Sequence, residues 1–319
     1  MSKYFYTSDD LIKSIKSRAL IPTNQITFSE QDFLDFATEE MNMAIVTMVL
    51  EANQDYYLIT EDIPCVAGVS TYDIPYRAIG NKLRDISISD GGSNLRELTR
   101  INIGDLSAYS SNSGTAGANC FYVANNQITL VNTSSTGVLK VSYYLRPNSL
   151  VPNVEVGEIA SVNYLTGIIT LSNYPDDFAL ASSLNERLDF IQKKSPHKIL
   201  AYDVNPFVST NLALKTITMN IADIPLGLVA GDRVAYATET DIPQIPSDMH
   251  TLLAHRVATR LLEAIGDAEG LQAANQKLSE LQDNAKSLIH NRVEEAPRKV
   301  TNYHSTLRSG LMRNRFRRW

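Results

Sequence analysis

Near the N-terminus apolar residues recur at three- and four-residue spacing, the pattern of amphipathic helices. A short helix is predicted to begin at about Ser8 and to end before Pro22. A longer helix follows Ser29, which forms a capping-box pattern with Asp32, and continues to about Asn53. Its apolar stripe consists of Phe33, Ala37, Met41, Ala44, Ile45, Met48 and Val49. Such a stripe predicts a helix that packs against other helices or a core.

Between residues 56 and 241 the pattern changes to short runs rich in Val, Ile, Thr and Tyr, separated by Gly, Asn, Asp and Ser. The runs on either side of Asn125-Asn126 predict a hairpin. The predicted strands are 83–88, 95–101, 121–123, 128–131, 139–143, 159–163, 168–171, 188–191, 216–219 and 233–238. Many short strands at this spacing are typical of a sandwich or barrel-like module. Residues 107–119, nearly all Ser, Gly, Ala and Asn, predict a mobile surface loop.

Helical spacing returns after residue 244. The pair Pro246-Ser247 is a helix start signal, and Gly266 is expected to end the apolar helix that follows. Asp267 can cap a second helix, whose apolar residues step by three and four alternately. These heptad residues are Leu271, Ala274, Leu278, Leu281, Ala285 and Leu288. The stretch is short for a coiled coil, so the pattern favours antiparallel packing inside a helical bundle.

The apolar stripes at the two ends of the chain need partners, and each is the other's nearest candidate. The predicted fold class is therefore α+β, with a discontinuous helical bundle from both chain ends, a large inserted antiparallel β domain and an extended C-terminal tail. Residues 1–58 and 244–296 are assigned to the helical bundle, residues 59–243 to the inserted β-rich domain, and residues 297–319 to an extended basic C-terminal arm.

Composition and charge narrow the class of protein. The 319 residues suit about two domains, and a composition of 44% apolar and 20% charged residues excludes global disorder. The net charge of −6 conceals two unlike parts. Residues 296–319 carry seven Arg and Lys and no acidic residue, which leaves 22 basic against 35 acidic residues elsewhere, or −13. The negative average charge argues against a general nucleic-acid binder.

The sequence carries few signals of catalytic or metal-binding chemistry. The sequence lacks the Gly-rich phosphate loops, His-Glu-x-x-His, Cys-x-x-Cys and Gly-x-Ser-x-Gly. His250 and His255 lie about 140° apart around a helix, which does not favour shared metal ligation. We therefore expect no enzyme, no cofactor and no metal site, although paired carboxylates across a cleft leave an undetected hydrolase open. Cys65 and Cys120 are expected to be small buried apolar side chains.

The chain carries no pattern for secretion or for a membrane span. Its N-terminus lacks an apolar run with a small-residue cleavage site, and no stretch reaches the roughly 18 apolar residues that a span needs. We therefore expect a soluble protein made in a cytoplasm and without membrane contact.

The candidate binding segment is the C-terminal arm, which follows Pro297 and lacks core periodicity. Its candidate docking residues are Arg308, Leu311, Arg313, Arg315, Phe316, Arg317, Arg318 and Trp319. Trp and Arg dominate interface hot spots, and Arg binds carboxylates or phosphates through two hydrogen bonds. Docking on a protein partner is predicted, with contact to DNA phosphates or a solvated tail as the alternatives.

Four short motifs, together with the helix, β, helix order, carry a resemblance to a known family. The motifs are Arg77-Ala78-Ile79-Gly80, Tyr144-Leu145-Arg146-Pro147, Ser195-Pro196-His197-Lys198 and Gln244-Ile245-Pro246-Ser247-Asp248-Met249-His250. With these features the chain resembles the portal-proximal head-to-tail adaptor (connector) proteins of tailed bacteriophages. The resemblance is closest to the adaptors of short-tailed and crAss-like phages.

The resemblance implies a structural virion protein, made in the host cytoplasm and located at the head-tail neck. It implies a ring, usually a dodecamer, that joins the portal protein to tail or nozzle proteins. Such a ring continues the channel through which double-stranded DNA passes during genome ejection, without sequence-specific binding. In such proteins the C-terminal arm commonly reaches the portal.

Closed rings need two different complementary faces on each subunit, and long Met-rich helices offer such faces. The ring-interface candidates are Met41, Met48, Leu271 and Leu278. An alternative function is a recognition module of a tail protein whose β domain binds a glycan or receptor.

Three arginines of the β region, Arg77, Arg84 and Arg146, are open to two interpretations, core salt bridges or surface contacts. Structural pairs are preferred because Asp73 and Asp85 lie nearby in the sequence.

Overall fold

The structure, a computed structural model, describes residues 6–21, 27–89, 95–110, 120–131, 137–194 and 197–289. Its helices are α1 (Ser8–Arg18), α2 (Glu30–Glu40), α3 (Val46–Ala52), α4 (Leu106–Ser110), α5 (His250–Ile265) and α6 (Ala268–Ile289). A π-helical turn, Met41–Ile45, joins α2 to α3 without a break. None of the described helices is both long and apolar enough to cross a bilayer.

The start of α2 is fixed by local hydrogen bonds. The Ser29 hydroxyl accepts from the Asp32 backbone N–H, and the Asp32 carboxylate accepts from the Ser29 N–H at 2.7 Å, so the predicted capping box is confirmed. The rings of Phe28 and Phe33 lie 6.0 Å apart across the cap, as expected for a hydrophobic staple. The helix ends at Ala52, close to the predicted end.

Helices from both ends of the chain share one apolar core. The helix α5 packs against α1 and α2, and α6 packs against α5 and α3. Buried side chains from both ends include Leu11, Ile15, Phe33, Leu34, Met41, Ile45, Met249, Leu253, Val257 and Leu261. The discontinuous bundle is therefore confirmed. It assembles because each apolar stripe alone would leave its surface in water.

The junction between α5 and α6 follows the predicted chemistry. Gly266 ends α5 in the left-handed region at φ 82°, and its N–H donates to the carbonyls of Leu262 and Glu263. The Asp267 carboxylate then accepts from the Gly270 N–H at 3.0 Å, which caps α6. These two local devices turn the chain from one helix into the next.

The strands occupy the middle of the chain. They are β1 (Leu58–Pro64), β2 (Thr71–Asp73), β3 (Ala78–Ser89), β4 (Leu95–Glu97), β5 (Thr99–Arg100), β6 (Cys120–Ala124), β7 (Gln127–Val131), β8 (Val138–Leu145), β9 (Ser149–Leu150), β10 (Gly157–Asn163), β11 (Ile168–Asn173), β12 (Leu188–Ile191), β13 (Ile199–Val204), β14 (Ser209–Asn211), β15 (Thr216–Thr218), β16 (Arg233–Tyr236) and β17 (Glu239–Thr240). Most neighbouring strands are antiparallel, and the pairs β5–β6 and β9–β17 are parallel. The fold is therefore α+β, as predicted.

The first β unit is a sandwich. The sheets β1-β8-β3-β4 and β2-β7-β6-β5 contribute to one core, which includes Ile86, Phe121, Ile128, Val141 and Tyr143. In the β6–β7 hairpin Asn125 and Asn126 both have positive φ, 49° and 62°, which matches the right-handed twist of the strands. The predicted hairpin is confirmed.

The expected mobile loop over residues 107–119 is wrong for its first four residues, which belong to the helix α4. Tyr109 packs beside the small cluster of Ile101, Cys120 and Val131, so an apolar contact holds this end of the segment. Residues 111–119 lie outside the described residues.

The second β unit is one antiparallel sheet of seven strands in the order β13-β12-β16-β10-β11-β15-β14. Its separate core is built around Phe178, Phe190 and Phe207. In the β10–β11 turn, Gly167 has a φ of 73°, and a Cβ there would lie 2.2 Å from the Met219 carbonyl oxygen, so the turn requires glycine. The inserted β region thus contains two units with separate cores, where the strand pattern predicted one module.

Candidate functional site

Four sequence motifs that lie far apart in the chain meet where the bundle and the two β units come together. Arg77 immediately precedes β3, Arg146 follows β8, His197 precedes β13, and Gln244 precedes α5. The Arg146 backbone N–H donates to the Arg77 carbonyl at 2.8 Å. The Gln244 side-chain carbonyl accepts from the Asn148 backbone N–H, also at 2.8 Å. We refer to this region as the junction.

A buried ion pair lies at the centre of the junction. The Arg77 guanidinium donates to the Asp189 carboxylate at 2.7 Å, and neither side chain has appreciable exposure. Arg77 Nε lies 3.4 Å from the Asp203 carboxylate. The guanidinium also lies over the ring of Tyr202, 5.5 Å from its centre. Arg77 therefore joins the sandwich, which carries it, to the seven-stranded sheet, which carries both acids.

Asp189 gathers donors from several segments besides Arg77. Its Oδ2 accepts from the Asn148 amide at 2.6 Å and from the Thr238 backbone N–H at 3.1 Å. Its Oδ1 accepts from the Asp203 backbone N–H at 3.0 Å. A charge removed from water is tolerated only when such bonds replace hydration. The carboxylate thus fixes the mutual position of four chain segments.

The expected acidic partners of the arginines are partly wrong. Arg77 pairs with Asp189 and Asp203 instead of the nearby Asp73, because residues distant in sequence are brought together at the junction. Arg84 does form ion pairs, with Asp55 and with Asp85 at 4.0 Å. Arg146 is exposed and has no ion pair with any described residue, so it is not a structural pair.

Three hydroxyl and carboxyl groups extend the junction between the two β units. The Tyr143 hydroxyl donates to the Glu61 carboxylate at 3.0 Å and lies 3.2 Å from the Tyr202 hydroxyl. Burial, together with these two neighbours, raises the pKa of Tyr143 well above its usual value. Tyr143 therefore stays a neutral donor, and the contact holds β8 against β13.

A second buried ionic contact joins the bundle to the seven-stranded sheet. Arg233 lies 3.3 Å from the fully buried Asp241 and 3.2 Å from Glu158. The Ser8 N–H at the start of α1 donates to the Asp241 backbone carbonyl at 2.6 Å. Burial raises the pKa of the Asp241 carboxyl to about 6, and the opposing attraction of Arg233 only partly offsets it.

The raised pKa makes stability depend on pH. Because the folded-state pKa of Asp241 lies above its usual 3.8, the native state binds more protons between pH 4 and 6, and the stability from this group falls as pH rises. We expect an Asp241→Asn variant to lose this dependence. The difference between its free energy of unfolding and that of wild type should therefore change by about 3 kcal/mol between pH 4 and 6. Urea unfolding at a series of pH values measures it.

The matched control for Asp241→Asn is Asp176→Asn, because Asp176 is an exposed acid in a 3-10 turn. Its stability profile should run parallel to that of wild type. If the Asp241→Asn profile also runs parallel to wild type, the carboxyl is ionised in the folded state and the proposed pH effect is absent.

A cavity of about 390 Å³ opens at the junction. Its wall includes Tyr56, Tyr57, Arg146, His197, Lys198 and Gln244, so three of the four motifs contribute to it. Tyr57 donates its hydroxyl to the Gln244 backbone carbonyl at 3.2 Å. Burial lowers the pKa of His197, so its ring is neutral at pH 7. The positively charged side chains of the cavity wall are therefore Arg146 and Lys198.

The two histidines on α5 each have a structural contact. His250 stacks on the Tyr6 ring at 4.7 Å, and burial lowers its pKa to about 4. A ring nitrogen of His255 lies 2.9 Å from the Ala274 carbonyl on α6. Within the described ranges, no group of three His, Cys, Asp or Glu side chains is placed to hold a metal ion.

The predicted interface residues fall into different places. Met41 is fully buried in the bundle core and Met48 is 9% exposed, so these two side chains offer a neighbouring subunit little or no surface. Leu271 is partly exposed, and Leu278 packs on the edge of the core. The ring-interface assignment stays a prediction. The eight docking residues of the C-terminal arm lie outside the described residues.

Asp189, the acidic residue at the centre of the junction, was not predicted from the sequence. Asp189 lies in the short strand Leu188–Ile191, whose other residues are apolar and buried. An acid inside such a run is a usable signal, because an acidic residue is almost never fully buried unless it has a partner. Asn148 and Asp203 carry no comparable signal, since their roles arise only from the tertiary contact.

Comparison with known families now places the chain. Residues 6–193 match the family described as SU10 adaptor protein, which is more than half of the 319 residues. The matched stretch runs from the helix α1 to the end of β12 and contains Arg77, Asn148 and Asp189. No curated protein matches the sequence. The chain therefore belongs to the SU10 adaptor protein family and is a structural adaptor protein of a bacteriophage.

Proposed function

We propose that this chain forms a ring in the virion neck that joins the portal protein to tail or nozzle proteins and continues the DNA channel. Membership of a phage adaptor family is the observation that carries the proposal. Twelve copies, as in adaptors of short-tailed and crAss-like phages, is the proposed stoichiometry. The chain would act as a structural part and not as an enzyme.

Exposed apolar side chains on the described residues suit such a ring. A closed ring repeats one heterologous contact, so each subunit needs two unlike faces. The bundle exposes Met43 on its π-helical turn and Leu288 near the end of α6. The seven-stranded sheet exposes Leu165 and Leu226 at one end, each almost 90% accessible. In the proposed ring these exposed apolar side chains would be available for contacts with neighbouring subunits.

The proposed channel transports DNA without binding a sequence. The charge outside residues 296–319 is −13, and a net negative body repels phosphates, so DNA would slide past it. In the proposed domain organisation, residues 1–58 and 244–296 form the bundle, residues 59–243 form the β region and residues 297–319 form the docking arm.

Native mass spectrometry tests the ring directly. The purified full chain should give a discrete closed oligomer, alone or after mixing with the portal protein of the same phage, and cryo-EM of the mixture should show the ring coaxial with the portal. A chain that remains monomeric and never binds the portal contradicts the proposal.

The C-terminal arm is proposed to dock on the portal through Arg308 to Trp319. Deletion of residues 305–319 should leave the thermal unfolding midpoint unchanged and weaken portal binding at least tenfold, because Arg and Trp side chains dominate hot spots. Affinity measured in low and high salt should show that the lost contact is charge-assisted.

The matched control keeps the charge of the arm. Replacing Arg313, Arg315, Arg317 and Arg318 by Lys preserves four positive charges but removes the bidentate geometry of guanidinium. Intermediate affinity for this variant supports specific docking. Normal assembly of complete virions from the deleted protein refutes the role of the arm.

The alternative, a glycan- or receptor-binding β domain, would require a cluster of exposed aromatic side chains on one sheet. In the part of the chain that the structure describes, Tyr76 is the one aromatic side chain more than a third exposed, and its hydroxyl is bonded to Asp203. The observations on these strands therefore favour the adaptor proposal.

A further inference from the structure

We propose that the junction cavity binds a carboxylate side chain presented by an extended, partly apolar segment of a partner protein. The inference goes beyond ring formation, since it concerns a single-chain site and can be measured on the isolated full-length protein. It is carried by the unpaired hydrogen-bond donors, the unpaired charges and the apolar wall of this cavity.

The first observation is an unsatisfied donor in the wall. Gln244 is only 6% exposed. Its carbonyl oxygen accepts from the Asn148 N–H at 2.8 Å, whereas its Nε2 has no hydrogen-bond partner among the described residues. The Tyr56 hydroxyl, in the same wall, is likewise buried and without a described partner. Both atoms have almost no accessible surface, so each reaches an acceptor in the cavity only after a small side-chain rotation. Because buried donors are nearly always satisfied, a rotation that bonds them to a ligand would be favoured.

The second observation is the charge. Arg146 and Lys198 line the cavity, and neither side chain forms an ion pair or hydrogen bond with the residues that the structure describes. Asp55 also lies in the wall, but its carboxylate is paired with Arg84. The cavity wall therefore carries two unpaired positive charges close to two buried hydrogen-bond donors. This arrangement favours an anion that can accept several hydrogen bonds at once.

The third observation is the size and lining of the cavity. A volume of about 390 Å³ is at the small end of ligand pockets and suits one or two side chains. Tyr57, Leu145 and Pro147 supply apolar surface in the same wall. A carboxylate carried on an aliphatic side chain, next to a second apolar residue, matches both the polar and the apolar parts.

The same features disfavour nucleic acid as the occupant. Duplex phosphates lie on a broad convex rod and carry no apolar group that would fill the wall formed by Leu145 and Pro147. The acidic balance of the remaining chain also repels a polyanion. A single carboxylate on a flexible segment can enter the cavity beside the apolar wall, and its one charge is repelled far less than a polyanion.

The direct test is binding of two matched probes, N-acetyl-leucyl-glutamate N-methylamide and its glutamine counterpart, measured by saturation-transfer NMR on the full chain. The glutamate probe should bind at least tenfold more tightly than the neutral isostere, because charge-assisted bonds are about twice as strong as neutral ones. A 12-base-pair DNA duplex is the third probe and should not bind at this site.

Variants connect the binding to the cavity. Arg146→Gln combined with Lys198→Gln should abolish the preference for glutamate. The charge-matched control, Lys13→Gln with Arg100→Gln, removes two exposed cations that do not line the cavity and should leave the preference unchanged. Gln244→Glu keeps the oxygen that accepts from Asn148 but replaces the orphan donor, so it should also weaken the glutamate probe.

Circular dichroism melts establish that each variant is folded. The proposal is overturned if the two peptide probes bind equally, if neither saturates up to about 10 mM, if the cavity variant behaves like the control, or if the duplex competes at Arg146 and Lys198 in place of the peptide. Binding of the glutamate probe would stand even if the chain failed to form a ring, so the two proposals fail separately.

Discussion

Replacing Arg77 by Met should lower the free energy of unfolding by about 3–5 kcal/mol, the cost of leaving one member of a buried ion pair without its partner. Asp189 has no solvent exposure and would lose the Arg77 guanidinium, which bonds at 2.7 Å and is its one charged donor among the described residues. Its remaining described donors, from Asn148, Thr238 and Asp203, are neutral. Urea unfolding of the full-length chain measures the loss.

The matched control is Arg84→Met, because Arg84 forms an ion pair with Asp55 in which both side chains are well exposed. Solvent screens such pairs, so this variant should remain close to wild type in stability. The double variant Arg77→Met with Asp189→Asn should recover part of the loss, since no uncompensated charge is then buried. Equal stability of Arg77→Met and Arg84→Met would contradict the central place given to the junction.

Replacing Phe33 by Ala should cost about 3–5 kcal/mol, from lost burial and the cavity left behind. Phe33 is fully buried in the core that α1, α2 and α5 share. Because both chain ends contribute to this core, the protection of amide hydrogens from exchange should fall in α5 as well as in α2. Hydrogen exchange followed by mass spectrometry reports on each helix separately.

Met43→Ala is the control for Phe33→Ala, since Met43 lies on the same continuous helix but is 79% exposed. Its stability and exchange should stay close to those of wild type. If Phe33→Ala loosens α2 and leaves exchange in α5 unchanged, the two ends of the chain fold independently and the shared core carries little coupling.

Features decided by neighbouring residues could be predicted from the sequence. The Ser29 cap, the Asn125-Asn126 turn and the Gly266 stop each depend on hydrogen bonds or φ angles within a few residues. The π-helical turn was not predicted. Its ends, Met41 and Ile45, are four residues apart, a spacing that an ordinary helix also places on one face.

The division of the β region into two cores could not be read from alternation. Alternation indicates which side chains share a face of a strand but not which strand is its neighbour. The strand β10 pairs with β16, in the register Gly157 to Val234. Pairings over such distances are set by the packing of whole sheets, to which no short sequence pattern corresponds.

The junction could be predicted from the sequence only in part. The motifs around Arg77, Arg146, His197 and Gln244 carry the family resemblance, but they are distributed over three structural units. Their convergence depends on how three cores pack together, which local spacing does not encode. For the same reason the cation expected to be in an ion pair, Arg146, is instead free to face a cavity.

The discontinuous bundle has a consequence for the order in which the protein is made. Leu253 is added to the chain 220 residues after Phe33, so at usual translation rates the first helices wait roughly 10–45 s for their partner. Both β units are complete before that partner leaves the ribosome. The nascent chain thus holds finished sheets beside an uncovered apolar helix, and closing the bundle around the emerging α5 is the step that completes folding.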